Sequence, residues 1–238
     1  MNLLAIDTAT ESCSAALLCD GQLFERSELA PRRHAELILP MIDSLLTEAG
    51  ISRRRLDGIA VGRGPGAFTG VRLGISVAQG LALGLDIPVV PVSSLAALAQ
   101  AAPGQDEAGG DSTRDAAILT VIDARMGEIY AGAFRRGADG LVVPIMDEMV
   151  GRATELTFPP GRAWSVVGTG WAAYRDALAA RLPTPPVFAD GARYPQARAI
   201  ARLALPQFAA GQGVSPEYAL PVYLRDKVAL TLQEQRAR

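Results

Sequence analysis

Leu3-Leu4-Ala5-Ile6-Asp7-Thr8-Ala9-Thr10-Glu11-Ser12 opens the chain, and its pattern returns at Val121-Ile122-Asp123. Leu3 to Ile6 is a continuous apolar run, as in a strand buried on both faces. It ends in an aspartate and a polar turn, after which Ser14 to Cys19 reads as a returning strand. At an offset of 116 residues, Ile6-Asp7 meets Ile122-Asp123, Ala15 meets Ala131, Leu17 meets Ala133 and Leu18 meets Phe134. Strand, acidic turn and returning strand therefore occur twice, which predicts a duplicated structural unit. Asp20-Gly21 is a two-residue hairpin signal. Gln22 to Leu29 then supplies a third antiparallel strand.

Working outward, His34 to Ala49 carries the apolar recurrence of one helical face, in Leu37, Ile38, Met41, Ile42, Leu45, Leu46 and Ala49. Pro40 should kink this helix or mark its true start. A short strand, Ile59-Ala60-Val61, leads into Gly62-Arg63-Gly64-Pro65-Gly66-Ala67-Phe68-Thr69-Gly70-Val71-Arg72 and a second helix from Thr69 to Leu85. Ile87 to Val92 reads as a strand whose two prolines put it at a sheet edge. Ser93 or Ser94 is placed to cap a short helix ending near Gln100. The polar, glycine-rich stretch from Pro103 to Asp115 is the expected linker. It divides a first lobe, 1–102, from a second, 116–220, with a tail from 221 to 238. Strands are expected near Gly140 to Met146 and Ala163 to Val167, and helices over Trp171 to Arg181 and Gln196 to Gly211.

The chain has 238 residues, 49% hydrophobic and 20% charged, which suits a globular protein with a sizeable core. Its net charge of −2 lacks the basic footprint of a protein that grips nucleic acid alone. Two cysteines and one histidine exclude a zinc site of the Cys/His kind within this chain, and a disulfide framework with it. A reducing cytosol fits that usage. Met1-Asn2-Leu3 shows no basic leader, and the longest apolar stretch, Leu73 to Leu85, reads as too short to span a bilayer.

Three constellations could carry chemistry. Asp7 and Asp123, at strand ends in matching halves, could face each other across a cleft and hold a metal–nucleotide; the bland alternative is an Asp side chain capping its own turn. Asp7, Thr8, Gly64 and Gly66 are the candidate cofactor residues of the first half. The loop around Gly64 and Gly66 could cradle an anion on backbone amides, or be a tight strand-to-helix turn. It has no Gly-Lys-Ser/Thr and is no Walker A loop. In the second half Gly168 and Gly170 are the candidates, in Gly168-Thr169-Gly170-Trp171-Ala172-Ala173, a dinucleotide fingerprint in form but late in the chain. The third constellation is a ridge of small residues, Gly70, Gly74, Ala78 and Ala82, on a helix apolar almost all round. One side of it is expected to meet another subunit, with Leu37, Met41, Leu45, Val71, Gly74, Ile75, Ala78 and Ala82 as interface candidates. No Ser-His-Asp or Cys-His arrangement can be assembled around His34, so no catalytic residue is assigned.

These motifs resemble one family. LLAIDTATESCSAAL, RHAELILPMIDSLL, GRGPGAFTGVRLGISVAQGLALG, DARMGEIYAG, GTGW and PVYLRDKVA, spread over most of the chain, are together similar to bacterial TsaB, also called YeaZ. The resemblance implies an α/β fold of two actin/Hsp70-like lobes, each a mixed sheet flanked by helices. It implies a role in forming N6-threonylcarbamoyladenosine at position 37 of tRNA. The partner it implies is the paralogous transferase TsaD, with TsaE as an ATP-hydrolysing third member, and tRNA met only through the complex. Alone, such proteins form homodimers through their first two helices. TsaD carries a metal motif of the form NHLEGH, where this chain reads Ser93-Ser94-Leu95-Ala96-Ala97-Leu98. The resemblance therefore implies a non-catalytic, cytoplasmic scaffold with no metal. Any ATP or ADP would be held weakly or at the partner interface. The alternative is a nucleotide-dependent phosphotransferase built on Asp7, Asp123 and the glycine loop.

Overall fold

The computed structural model describes residues 1–103, 116–159 and 162–225. The expected linker lies outside them apart from Pro103, as does the tail beyond Arg225. Two five-stranded sheets organise the rest. The first is built from β1 (Leu3–Asp7), β2 (Ser12–Cys19), β3 (Gln22–Leu29), β4 (Gly58–Gly62) and β5 (Val89–Val92), in the order β3-β2-β1-β4-β5. The second contains β6 (Ala117–Arg125), β7 (Glu128–Arg136), β8 (Val142–Gly151), β9 (Trp164–Val167) and β10 (Phe188–Asp190), in the order β10-β9-β6-β7-β8. In each sheet the opening strand is antiparallel to its successor and parallel to the fourth strand. The duplication is thus real at the level of topology.

Its register differs by one residue from the sequence match. Leu4 and Ile6 pack outward under the helices of the first half, and Leu3 and Ala5 face inward. In the second sheet Leu119 and Val121 face outward, and Ile118 and Ile122 inward. Ile6 is therefore matched by Val121, an offset of 115. The return strands keep 116, with Ala15 and Leu17 matched by Ala131 and Ala133 on the outer side. A one-residue slip turns every side chain to the other face. Asp7 and Asp123 consequently point to opposite faces of their sheets.

Among the described residues five α-helices cover the sheets: α1 (His34–Glu48), α2 (Phe68–Leu85), α3 (Ser94–Gln100), α4 (Thr169–Arg181) and α5 (Ala197–Ala209). Helix α1 starts at His34 and runs through Pro40, so the proline neither starts nor ends it. The carbonyl that Pro40 leaves without a donor belongs to Glu36, which is exposed to water near the helix start. Ser93 caps α3 by accepting from the Ala96 amide at 3.1 Å. The β5 strand lies at the sheet edge, where Pro91 is tolerated; Pro88 falls just before it. Strand β8 runs five residues further than expected, because this half-exposed edge strand pairs irregularly with β7 and its sequence shows little alternation. Strand β10, three residues long, has no legible signal in the sequence.

The layers interleave. Helices α1 and α2 cover the outer face of the first sheet, and α4 that of the second. Between the sheets lie α3, which packs on β6, β7 and β8, and α5, which packs on β1, β2, β4 and β5. Each half therefore sends its last helix against the other half's sheet. Leu3, Val90, Leu95, Leu98, Ile122 and Ile200 meet in this shared layer.

Helix α2 is 18 residues long, with a mean hydropathy of 1.3, enough by length and composition to cross a membrane. The expectation of too short a stretch missed the first turn, Phe68 to Arg72. Within the fold its small-residue ridge lies against β4, β1 and the turn after β1. A Cβ on Gly70 would stand 2.1 Å from the Thr8 carbonyl oxygen, and one on Gly74 would stand 2.7 Å from Thr8 Oγ1. Gly80 and Gly84, by contrast, have nothing within 4 Å of such a Cβ. Gly70→Ala should destabilise the protein by roughly 1–3 kcal/mol through overpacking. Gly80→Ala should stabilise it by about 0.5–1 kcal/mol through helix propensity. Urea unfolding of both variants checks the pair, and equal effects would contradict this placement of α2.

Candidate functional site

The turn after β1 and the loop after β4 interlock. Asp7 is fully buried; its Oδ1 accepts from the Ala9 amide at 3.1 Å and its Oδ2 from Ser94 Oγ at 3.3 Å. Gly62 is a glycine because the Asp7 carboxyl occupies the place of its Cβ, 2.1 Å from Oδ2. Thr8, also buried, donates to the Gly70 carbonyl at 2.7 Å and ties the turn to α2. The Ala67 amide donates to the Ala9 carbonyl at 2.7 Å, and the Arg63 amide to the Val92 carbonyl at 2.8 Å. The Arg63 and Ala67 amides are thus used on the chain's own carbonyls. Gly64 has φ +90°, a conformation that favours glycine, and its Cβ position is backed by the Val222 carbonyl at 3.3 Å. A Cβ on Gly66 would lie 2.2 Å from the Ala9 carbonyl oxygen.

Asp123 makes the same local turn but belongs to a different environment. Its Oδ1 accepts from the Arg125 amide at 2.8 Å and from Tyr174 Oη, on α4, at 3.2 Å. Its own amide donates to Thr169 Oγ1, also on α4. Asp7 looks instead towards α3. The two aspartates are therefore not brought together as a metal clamp, and the physical reason is the one-residue slip between β1 and β6. Among the described residues no group of three or more His, Cys, Asp or Glu side chains is placed to hold a metal ion.

Gly168 and Gly170 do follow a strand and open a helix, as the fingerprint requires. Their space is filled from within. A Cβ on Gly168 would meet the Val121 carbonyl at 2.3 Å, and one on Gly170 the Val121 side chain at 2.9 Å. Asp190 caps its own turn through the Ala192 amide and pairs with Arg193 at 2.9 Å. Of the six candidate cofactor residues, only Gly66 lines the cleft between the sheets. The cleft's two arginines are engaged, Arg125 with Glu11 and Asp123, and Arg225 with Glu128. These residues do not fit a metal–nucleotide.

Nucleophilic chemistry fares no better. Burial, with the charges of Asp7 and Glu28, pushes the Cys13 thiol up to about 11, so the reactive thiolate is suppressed. Its sulfur lies 4.0 Å from the His34 carbonyl oxygen, and the imidazole Nε2 is buried without a hydrogen-bond partner. In place of the TsaD metal motif, Ser93 caps α3 and also donates to Glu148, while Ser94 serves Asp7.

The interface candidates need correction residue by residue. Leu45, Val71, Gly74, Ile75, Ala78 and Ala82 are buried in the chain's own core. Leu37 and Met41 are half-buried. The outward side of α2 presents Phe68, Arg72, Ser76, Gly80, Leu83 and Gly84. Leu83 is 73% exposed and Phe68 54%, with the Arg72 guanidinium 3.7 Å from the Phe68 ring centre. A strap, 221–225, crosses beside this end of the helix, where Arg72 Nε donates to Tyr223 Oη at 2.6 Å. The sequence shows this strap only as extended; its part in the cleft wall leaves no local signal.

With this geometry in place, comparison with known proteins narrows the reading. The family model described as TsaD, tRNA N6-adenosine threonylcarbamoyltransferase, matches residues 27–232. The tRNA threonylcarbamoyladenosine biosynthesis protein TsaB of Escherichia coli K12 is 42% identical, over 96% of each chain. Its namesake from Haemophilus influenzae is 37% identical, over 96% of this chain and 95% of its own. The solved structure of YeaZ from Pseudomonas aeruginosa superposes with a TM-score of 0.84 at 43% identity, covering 94% of this chain and 99% of that one.

Burial raises the Asp7 carboxyl from 3.8 to about 7, against the smaller opposing effects of the Ala9 and Ser94 hydrogen bonds. The folded chain then holds a proton that the unfolded chain has released. This stability is complete below the ordinary carboxyl range and is lost as pH rises through about 7. Asp7→Asn keeps the acceptor for the Ala9 amide and removes the buried charge. At pH 8 it should be more stable than the parent by on the order of 1–3 kcal/mol, with little difference at pH 4. Denaturant unfolding at the two pH values checks this, and a variant weaker at pH 8 would contradict it.

Proposed function

The chain belongs to the TsaB family, within the wider TsaD family, and we propose that it acts in tRNA threonylcarbamoyladenosine formation as a non-catalytic docking subunit. Its fold is the two-lobed, actin-like α/β arrangement of two mixed sheets flanked by helices. TsaD is the proposed partner that carries the transfer chemistry and TsaE the third member, with tRNA met through the complex. In the absence of TsaD the same face pairs two copies of this chain. Residues 1–102 and 116–220 serve as the two lobes, joined by 103–115 and followed by the tail. The cytoplasm is the proposed compartment.

The observation that carries this reading is the outward face of α2. The helix is apolar enough for a membrane, yet only 28% of it is buried by the chain itself. Solvent-facing helix positions are normally polar. Here Leu83 and Phe68 are exposed, and Gly80 and Gly84 sit mid-helix with open space beside them. Each such glycine costs about 1 kcal/mol relative to alanine. Close approach by a partner helix gives these glycines a use. On α1, Leu39 is 49% exposed, and Leu37 and Met41 are half-buried. The catalytic alternative has no such support: Asp7 is tied to its own turn and to Ser94, Asp123 faces α4, and the candidate glycines are packed against the chain's own atoms.

Arginine at Gly74 or Ala78 would test only the core. Gly80→Arg and Leu83→Glu leave the core intact and alter the outward face. Each should weaken association with TsaD at least tenfold, about 1.4 kcal/mol, and lower tRNA modification in parallel, with unchanged circular dichroism. Analytical ultracentrifugation and a reconstituted modification assay provide the measurements. Undiminished binding by the folded variants would remove α2 from the interface.

A further inference from the structure

Arg72 stands on the outward side of α2 and is the one cation of that helix. Its side chain is held in place. Nε donates to Tyr223 Oη at 2.6 Å, and the guanidinium carbon lies 3.7 Å from the Phe68 ring centre and 5.5 Å from that of Tyr223. Both rings are exposed. Surface arginines elsewhere meet acids: Arg26 pairs with Glu48, Arg33 with Glu28 and Arg53 with Asp43. Among the described residues Arg72 has no carboxylate partner, and its Nη1 and Nη2 donate to nothing. A guanidinium stacked on rings and bonded along one edge presents the rest of its fork outward in a set geometry. It therefore has little rotamer freedom left to lose when a partner arrives.

A groove of about 530 Å³ opens beside it, between α2 and residues 220–223. Ile75, Leu220, Pro221 and Tyr223 give it apolar walls, with Ser76 and Gln79 along the helix. Arg72 is the one charged side chain among the described residues that line it. Such a place suits an apolar side chain with an anion at one end, since covering a cation is costly unless it is paired. A carboxylate matches the guanidinium fork with two parallel hydrogen bonds. Arginine and tyrosine are also among the side chains that most often dominate a protein interface. A nucleic-acid phosphate backbone would call for further cations, and among the described residues no other lines the groove. Helix α2 itself contains no Asp or Glu from Phe68 to Leu85, so two copies meeting helix to helix offer Arg72 no acid from α2.

We propose that Arg72 anchors the interface by receiving a carboxylate of TsaD, an Asp or Glu with a large apolar side chain beside it that enters the groove at Leu220 and Pro221. The anchor also favours TsaD over a second copy of this chain, because a facing α2 brings no acid. This inference deepens the docking reading and rests on it.

Calorimetric titration of TsaD with the full chain tests it, using R72Q, R72E and the outward-face variant L83E. R72Q should bind at least tenfold more weakly than the parent and R72E at least thirtyfold, both with unchanged circular dichroism. Self-association of R72Q should change less than about threefold. Replacing the exposed Asp and Glu residues of TsaD one at a time by Asn or Gln should find one position that weakens binding of the parent at least tenfold and of R72Q not at all. Parent-like binding by R72Q and R72E while L83E binds weakly would overturn the anchor and leave α2 as the docking face. Parent-like binding by all three would remove the docking reading as well. Losses that add to that of R72Q at every acidic position of TsaD would overturn the carboxylate. Equal loss of self-association in R72Q would assign Arg72 to a second copy, and a loss seen only with tRNA present would assign it to a phosphate; either result would overturn the proposal.

Discussion

The shared layer between the sheets is the contact on which the rest of the molecule depends. Helix α3 leaves the first sheet and packs on the second, and α5 leaves the second and packs on the first. Leu95 and Leu98 of α3 and Ile200 of α5 are fully buried there. A fully buried side chain of this kind contributes roughly 1.5–3 kcal/mol. Neither half completes its inner face without the other. That exchange holds the two hairpin turns, after β1 and β6, at a fixed separation and so creates the cleft. It also leaves the outer face of the first sheet chiefly to α1 and α2, and α2 reaches solvent along one side.

The glycines owe their places to the same packing. Gly62 makes room for the Asp7 carboxyl, Gly66 for the Ala9 carbonyl, and Gly70 for the Thr8 carbonyl. A loop that reads as a phosphate cradle is instead filled by the turn of the neighbouring strand. Backbone amides aimed at a ligand and backbone amides aimed at a carbonyl leave the same sequence signature. Asp7 shows the same economy: a carboxylate at the end of β1 serves as a turn cap, tied to α3 by a serine.

Much of the fold is legible in the sequence. The strand-turn-strand repeat, the edge position of β5, the Ser93 cap and the glycine loop all rest on local rules, and local rules hold where the chain meets only itself. The repeat comes out one residue out of step, since Ile6-Asp7 and Ile122-Asp123 match in letters but face opposite ways. Sequence similarity carries no information about which face of a strand is buried when both are apolar. The α2 ridge is misassigned for a related reason. A helix apolar all round announces two packed sides, but not which side meets its own sheet. Gly74 and Ala78 turn inward, and Gly80, Leu83 and Gly84 outward. Strap residues such as Tyr223 owe their position to contacts more than a hundred residues away in the chain, as in the 151-residue separation from Arg72.

As proposed, this chain enables chemistry done elsewhere. The most direct measurement is reconstitution of tRNA threonylcarbamoyladenosine formation from purified TsaD and TsaE, with and without this chain, beside the chain alone with ATP and magnesium. Product is expected only when the chain is present with its partners, with no turnover of ATP by the chain alone. Full product formation without it, or ATP turnover by the isolated chain, would contradict a docking role.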